Sequence, residues 1–526
     1  MSATFERLRA LPPAHVRRLS PSRLRALGTV AGIAVLAALL RLIAGVGFVN
    51  YDTLYALSWG SQLARGETPA YHLPVAPTPH PLLELLGIVL TPLGAHTEID
   101  VTVALAFAAL AACGWVIYSL GAAFFGRAAG ALAALLFLTR VPVLSYGVRA
   151  YLDVPYVLFV LSALLVETRR PRAGAPVLTL LALAGLLRPE AWVFSALYWL
   201  YLLDLMPASL RRRLPSSRLG PPAAAGAAGG GVSGWARRLR AGRSRRELAW
   251  VTLLAAAGPL VWLGSDLLIT GNPLYSLTNT RHTAAILDRK SGIADVPQYV
   301  PRRIGEVLQF EALLGAGVGV LLTLMWMRRR AAPLAAAGIV AVVVFAVFAA
   351  VGLPIVTRYA FLAAALLCIF CGAAVVGWTA LASSHPRRRA WIWTGLLVLV
   401  LLLSSIPPEY RSAHRELAEL ARQETIEIDL IKMVRNGAIN LRCGPVGVPN
   451  HAPIPLLALY LKTSPANVQS AQVSPLRSGV YVDPASAEVE REYVLDPRDP
   501  HRAVSVPPGF RESATNRSWL IFKRCE

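Results

Sequence analysis

Long apolar blocks, almost free of acidic residues, dominate this chain of 526 residues. Several reach the roughly 20 residues needed to cross the hydrocarbon core of a bilayer. A soluble core would not need blocks of that length. Composition agrees: 55% of the residues are hydrophobic and 16% are charged, where a soluble domain carries about a quarter charged. Mean hydropathy is +0.52. The chain therefore reads as an α-helical multi-pass membrane protein.

About 11 transmembrane helices are expected, near 28–48, 99–123, 128–147, 154–168, 174–187, 191–206, 248–269, 311–327, 332–352, 359–381 and 391–406. The segment 81–94 is too short to cross and carries Glu84, so it reads as an interfacial or re-entrant helix. The net charge of +22 would point to nucleic acid in a soluble protein. Here the arginines cluster in short loops between spans, as the positive-inside rule expects, so no nucleic-acid partner is implied. With the N-terminus inside, Arg127, Arg169, Arg170, Arg172, the loop 207–247, Arg328 to Arg330 and Arg387 to Arg389 all fall in the cytoplasm. A full span at 81–94 would move the later clusters outside. Arg41 and Arg140 lie within spans and must face protein or snorkel to the outer interface.

This gives three parts. Residues 1–27 form a basic cytoplasmic N-terminal segment with no small-residue cleavage site, the pattern of an uncleaved signal-anchor. Residues 28–406 form the transmembrane region, interrupted at 207–247 by a cytoplasmic linker with ten arginines and an Ala/Gly run. Residues 407–526 are polar, with a helical pattern at 413–435 and strand-like runs at 479–482 and 519–522. They read as a small extracytoplasmic α/β domain. Of five cysteines, Cys113, Cys368 and Cys371 lie in apolar blocks as small packing residues. Cys443 and Cys525 are either a bridge or two thiols. The oxidising side favours the bridge, which would add about 4 kcal/mol by closing a long loop. No metal-type Cys/His spacing is present.

The polar residues that packing does not explain collect on the outer side. The first outer loop holds Asp52, Glu67, His72, His80 and Glu84, and the second holds Arg149 and Asp153. Arg188 and Glu190 follow in the third. Then come Arg281, His282, Arg302 and Arg303, and finally Arg358 with Tyr359. Basic residues there break the orientation rule. Guanidinium forks match phosphate oxygens, and two separated carboxylates can serve as base and ligand. Each residue also has a plainer reading. Asp52 could cap a helix starting at Thr53, and Asp153 could cap the fourth span. Arg188 and Glu190 could be solvated span ends, Arg358 could snorkel, His72 and His80 could be loop residues, and Glu84 could sit on the exposed face of its short helix.

These pieces, in this order, resemble the GT-C glycosyltransferases, which use polyprenyl-phosphate sugars. The chain is similar to protein mannosyltransferases and lipid A aminoarabinose transferases. The resemblance covers about residues 28–380. It rests on Asp52 followed by Gly66 and Pro69-Ala-Tyr71, then Arg149 to Asp153, Gly185-Leu-Leu-Arg188-Pro-Glu190, Thr270-Gly-Asn-Pro273 and Arg358-Tyr359. It implies a helical membrane fold with two interfacial helices in the first outer loop. It also implies Asp52 as general base on an acceptor hydroxyl. Asp153, Arg149, Arg188, Glu190, Arg358, Tyr359 and His80 are the expected substrate-binding residues, with Arg358 and Arg188 or Arg149 on the lipid phosphate. In metal-using relatives the positions of Asp52 and Asp153 would serve a divalent cation, Mg or Mn. The chain has a single Asp at each place rather than an Asp-x-Asp pair, which leaves metal dependence open.

The expected partners are a polyprenyl-phosphate sugar donor, an extracytoplasmic acceptor and membrane lipid. A lipid-linked-sugar transporter or flippase is the rival reading. Such proteins often show internal repeats and midplane charge. No repeat links the two halves of this chain, and its unexplained charges sit at one face.

Overall fold

The computed structural model describes residues 20–203, 244–494 and 506–525. The N-terminal segment as far as residue 19 and the basic linker from 204 to 243 lie outside them.

Within the described residues, each of the eleven expected spans coincides with helix. Seven helices are long and apolar enough to cross a membrane: Arg23–Ala44, Ala95–Phe125, Arg246–Thr270, Val296–Trp326, Arg328–Ala350, Thr357–Ala380 and the first part of Arg388–Arg435. An eighth is added if α5 (Arg127–Thr139) and α6 (Val141–Val148), bent by 64°, count as one broken span. The other three are shorter than a bilayer core requires. These are α7 (Asp153–Arg169), α8 (Ala175–Gly185) and α9 (Glu190–Leu202), of 17, 11 and 13 residues. They pack within the same bundle, burying Val157, Leu161, Leu178 and Leu181. The bend between α5 and α6 follows from Pro142, which has no N–H to return to Leu138. Arg140 sits at the bend and is buried. It donates to the carbonyls of Leu136 and Leu308, each at 3.1 Å, and pairs with Glu409 at 3.0 Å. It faces protein, one of the two options its sequence position allowed.

The first loop between spans carries two short helices, α2 (Tyr51–Ala64) and α3 (Pro81–Leu90), the latter extended by a 3-10 turn at Thr91–Leu93. The non-spanning segment at 81–94 is therefore a short helix, as its length predicts. The two helices cross at Gly60 and Gly87. A Cβ on Gly60 would collide with the Glu84 carbonyl, and one on Gly87 would lie 2.8 Å from the Leu57 carbonyl oxygen. Only glycine permits this approach.

The C-terminal part is a small α/β unit. A 30-residue helix, Ile406–Arg435, leads from the last span into a five-stranded sheet. Its strands are β1 (Val446–Val448), β2 (Val468–Ser470), β3 (Gly479–Pro484), β4 (Arg511–Thr515) and β5 (Trp519–Arg524), in the order β2-β1-β3-β5-β4. β1 runs parallel to β2 and β3, while β3–β5 and β5–β4 are antiparallel. Val480, Val482 and Ile521 bury against Ile426, Leu430 and Met433 of the helix, and the Trp519 indole donates to the Ile426 carbonyl at 2.9 Å. Cys443 and Cys525 form a disulfide across 82 residues. The same apolar cluster includes Tyr55, Leu57 and Trp59 of α2. The C-terminal unit is thus seated on the first loop.

Candidate active site

The site begins with a helix cap. Asn50, not Asp52, starts α2: its Oδ1 accepts from the backbone N–H of Asp52 at 2.9 Å and of Thr53 at 3.2 Å. Its Nδ2 donates to the Arg149 carbonyl at 2.9 Å, and Thr53 Oγ1 donates to the Ala150 carbonyl at 3.0 Å. Ala150 holds a left-handed backbone, φ 52°. These bonds stitch the start of α2 to the segment entering α7. They bring Asp52 beside Asp153 and leave the Asp52 carboxylate free of capping.

Asp153 also makes no cap. It is the first residue of α7, and the position before it belongs to Leu152. Its side chain is 1% exposed, with Oδ1 hydrogen-bonded by Arg188 Nη1 and Oδ2 at 3.7 Å from Arg358 Nε. Arg188 also binds both carboxylate oxygens of Glu190 and lies 3.6 Å from the ring centre of Tyr359. Arg188 and Glu190 are therefore buried, not solvated span ends. Arg358 projects from a 3-10 turn, Thr357–Ala360, and places Nη1 2.7 Å from Asp52 Oδ2. It is engaged with protein and does not snorkel. Arg149 donates to Ser145 at the carbonyl (3.1 Å) and at Oγ (2.8 Å), and lies against the rings of Tyr146 and Tyr151. His80 precedes α3, edge-on to Trp262 at 5.7 Å.

These side chains border one cavity of about 410 Å³. All eight expected residues line it: Asp52, His80, Arg149, Asp153, Arg188, Glu190, Arg358 and Tyr359. The other charged candidates lie apart. Glu67 pairs with Arg65 on the surface, His72 packs on Tyr275, and Arg302 and Arg303 bind Glu306. Glu84 departs from expectation. It is buried, not exposed, and accepts a 2.7 Å hydrogen bond from the Tyr71 hydroxyl.

The cavity also holds residues that sequence reasoning missed. Arg289 lines it, and its Nε is buried without a hydrogen-bond partner among the described residues. No carboxylate within them pairs with it. Its signal was present, since it is one more basic residue in a loop already rich in them. Gln423, His451 and Tyr493 reach the same cavity from the C-terminal unit, and nothing in their local sequence marks them.

Electrostatics separates the acids. Burial raises the Asp52 carboxyl, but the charge and hydrogen bond of Arg358, with help from Arg289, outweigh it and hold it below the ordinary carboxylate range. His80 is kept neutral: burial pushes its imidazole down to about 3 against the opposing pull of Asp52. Burial pushes Glu84 up to about 7. Four guanidinium groups, of Arg149, Arg188, Arg289 and Arg358, face three carboxylates, of Asp52, Asp153 and Glu190. The excess positive charge, inside a concave and partly buried site, suits an anionic ligand.

The donor set does not fit a divalent cation. Such an ion takes about six oxygen ligands, whereas Arg188 and Arg358 hydrogen-bond Asp52 Oδ2, Asp153 Oδ1 and both oxygens of Glu190, and Asp153 Oδ2, 3.7 Å from Arg358 Nε, has no hydrogen-bond partner among the described residues.

A helical membrane bundle with two short helices in its first loop and an acid–arginine cavity beneath a C-terminal cap matches a fold already seen in a solved structure. The solved structure that carries this assignment is ArnT from Cupriavidus metallidurans bound to undecaprenyl phosphate. It aligns with 94% of this chain and 98% of its own, at 15% identity and a TM-score of 0.52. AglB oligosaccharyltransferase from Archaeoglobus fulgidus, in complex with an inhibitory peptide and a dolichol-phosphate, aligns with 90% of this chain and 70% of its own. Its identity is 12% and its TM-score 0.47. No family model and no curated protein matches the sequence.

Proposed function

We propose that this protein is a glycosyltransferase that moves a sugar from a polyprenyl-phosphate donor to an extracytoplasmic acceptor. The observation that carries the reading is the meeting of Asp52 with four arginines in one cavity of a GT-C fold. The bound undecaprenyl phosphate of the ArnT structure supports the choice of donor. A cavity of about 410 Å³ falls in the usual range for a small ligand.

In this reading Asp52 is the general base. It takes the acceptor hydroxyl proton as the acceptor oxygen bonds to the anomeric carbon. The bond from that carbon to the phosphate oxygen breaks in the same displacement, with inversion, and the lipid phosphate leaves. Arg149 and Arg289 carry the charge that no carboxylate in the cavity cancels, so they are the main anchors for the departing phosphate. Arg358 contributes its Nη2, which has no protein partner among the described residues, while Nη1 stays on Asp52. Arg188 fixes Asp153 and Glu190 and so sets the shape of the site. Tyr359 and His80 complete the wall, the imidazole as a neutral hydrogen-bonding group.

The arginine clusters fall at the opposite ends of the same helices, at Arg127, Arg169, Arg328 and Arg388. By the positive-inside rule this supports a cytoplasmic N-terminus, with the cavity and the C-terminal unit outside. The test is incubation of the purified protein with a panel of polyprenyl-phosphate hexoses and pentoses, following release of the lipid phosphate. Release with at least one donor supports the reading, and its absence across the panel contradicts it.

A further inference from the structure

We infer that the guanidinium of Arg358, together with that of Arg188, occupies the place a divalent cation would take between the carboxylates of this site. The argument starts from charge. Asp52, Asp153 and Glu190 gather within one cavity, and three like charges at such spacing need compensation before any substrate arrives. A divalent cation supplies two positive charges. Arg188 and Arg358 supply the same two from the protein itself.

Geometry makes the replacement specific. Arg358 bridges two carboxylates that are far apart in sequence, with Nη1 at 2.7 Å from Asp52 and Nε at 3.7 Å from Asp153. Arg188 bridges Asp153 to Glu190. The three acids and two arginines thus form one chain, Asp52–Arg358–Asp153–Arg188–Glu190. Asp153 Oδ2 makes no hydrogen bond among the described residues, but a cation reaching from it to Asp52 or Glu190 would meet Arg358 on Asp52 Oδ2 and Arg188 on both Glu190 oxygens. The arginines are also held in place from behind. Tyr359 stacks on Arg188 at 3.6 Å, and Tyr151 lies 4.9 Å from Arg358. Aromatic faces stabilise a guanidinium by cation–π attraction. Burial keeps His80 neutral, and the charges of Arg188 and Arg358 act in the same direction.

A bridging guanidinium differs from a metal in one functional respect. It neutralises and orients the carboxylates, and its remaining N–H groups can face a phosphate, but it does not dissociate into solvent. Its cationic function is therefore immune to chelators. The inference rests on the proposed transferase reading only for that consequence; the ion-binding claim stands on the geometry alone.

The test uses the full-length protein in detergent with Mn²⁺ alone as probe, counting bound ions by electron paramagnetic resonance. Wild type is expected to bind no Mn²⁺ that Asp52→Asn or Asp153→Asn removes. A bound ion in wild type that either variant abolishes overturns the inference. The reciprocal variant is Arg358→Gln, which opens the Asp52–Asp153 pair. It is expected to bind Mn²⁺ at least tenfold more tightly than wild type, and to lose that site again when Asp52→Asn is added. A folded Arg358→Gln protein, judged by a single symmetric size-exclusion peak, that gains no such site also overturns it. If that variant does not fold, the wild-type comparison decides alone. Ion counting needs no sugar donor, so its failure is separate from failure of the transferase assay. Where release of lipid phosphate is measured, it is expected to change less than twofold in excess EDTA.

Discussion

Asp52 and Glu84 stand in the same loop, at the start of two helices that touch, yet their carboxyl groups are shifted in opposite directions. Asp52 meets the guanidinium of Arg358 at 2.7 Å and stays ionised. Glu84 meets a tyrosine hydroxyl at 2.7 Å, has no cation at hand, and is pushed up to about 7 by burial. Both are carboxylic acids, and Glu84 is the more deeply buried, at 4% exposure against 18% for the Asp52 side chain. What separates them is which distant segment arrives beside each: the Arg358 turn in one case, the Tyr71 loop in the other. The first region sets a paired charge on the wall of a cavity, and the second closes a packing interface.

The widest gap between the two regions is expected in catalysis. Asp52→Asn should lower the rate of lipid-phosphate release by about 10²–10⁴-fold, the usual contribution of a positioned base. Glu84→Gln should stay within a few-fold of wild type. Equal losses in the two variants would remove the distinction.

The next effect is on stability and tests how the charged region is held together. Arg188→Ala leaves two buried carboxylates, Asp153 and Glu190, without their partner. Breaking a buried pair of this kind costs about 3–5 kcal/mol. A clear fall in the thermal midpoint is expected, while a midpoint unchanged within a degree would show that the network is solvated. Arg289→Ala should do less. It removes a cation that no carboxylate in the described structure needs, so the midpoint should hold while KM for the donor rises about tenfold. A fall in kcat alone would assign it another role.

The smallest effect is in pH dependence, and its sign differs between the two acids. Glu84 has a folded pKa raised to about 7. Its contribution is fully present below the ordinary glutamate value and is lost as pH rises through about 7. Asp52 has a depressed pKa, so its pairing with Arg358 is present above the ordinary aspartate value and is lost as pH falls through the folded one. Thermal midpoints should therefore drop between about pH 5 and 8 in wild type, and Glu84→Gln should flatten that slope. An unchanged slope in the variant would place the titration elsewhere.

Much of this architecture was legible in the sequence because a bilayer permits few solutions. Apolar length gave the helices, and arginine placement gave the orientation expected of them. The two together exposed charges that had no packing reason; Asp52, His80, Arg149, Asp153, Arg188, Glu190 and Arg358 among them line one cavity, while Glu67, His72, Glu84, Arg281, His282, Arg302 and Arg303 do not. What stayed hidden depended on contacts between distant segments. Asn50 rather than Asp52 caps α2, because the chain enters the helix two residues earlier than the Asp suggested. The engagement of Arg188 and Arg358 by carboxylates, which moves the phosphate role toward Arg149 and Arg289, needs the third dimension. Gln423, His451 and Tyr493 belong to a unit whose seat on α2 has no local signature. The helices α7 to α9 are as short as the apolar runs that suggested them, with Gly174 and Pro189 setting the starts of α8 and α9.

The central claim is that the cavity transfers a sugar and does not merely bind or move a lipid. The measurement that tests it most directly is acceptor-dependent release of lipid phosphate from a polyprenyl-phosphate sugar by purified wild type and by Asp52→Asn, side by side in detergent. The account predicts release by wild type and loss of about two orders of magnitude or more in the variant. Release that survives intact in a folded Asp52→Asn protein would contradict it.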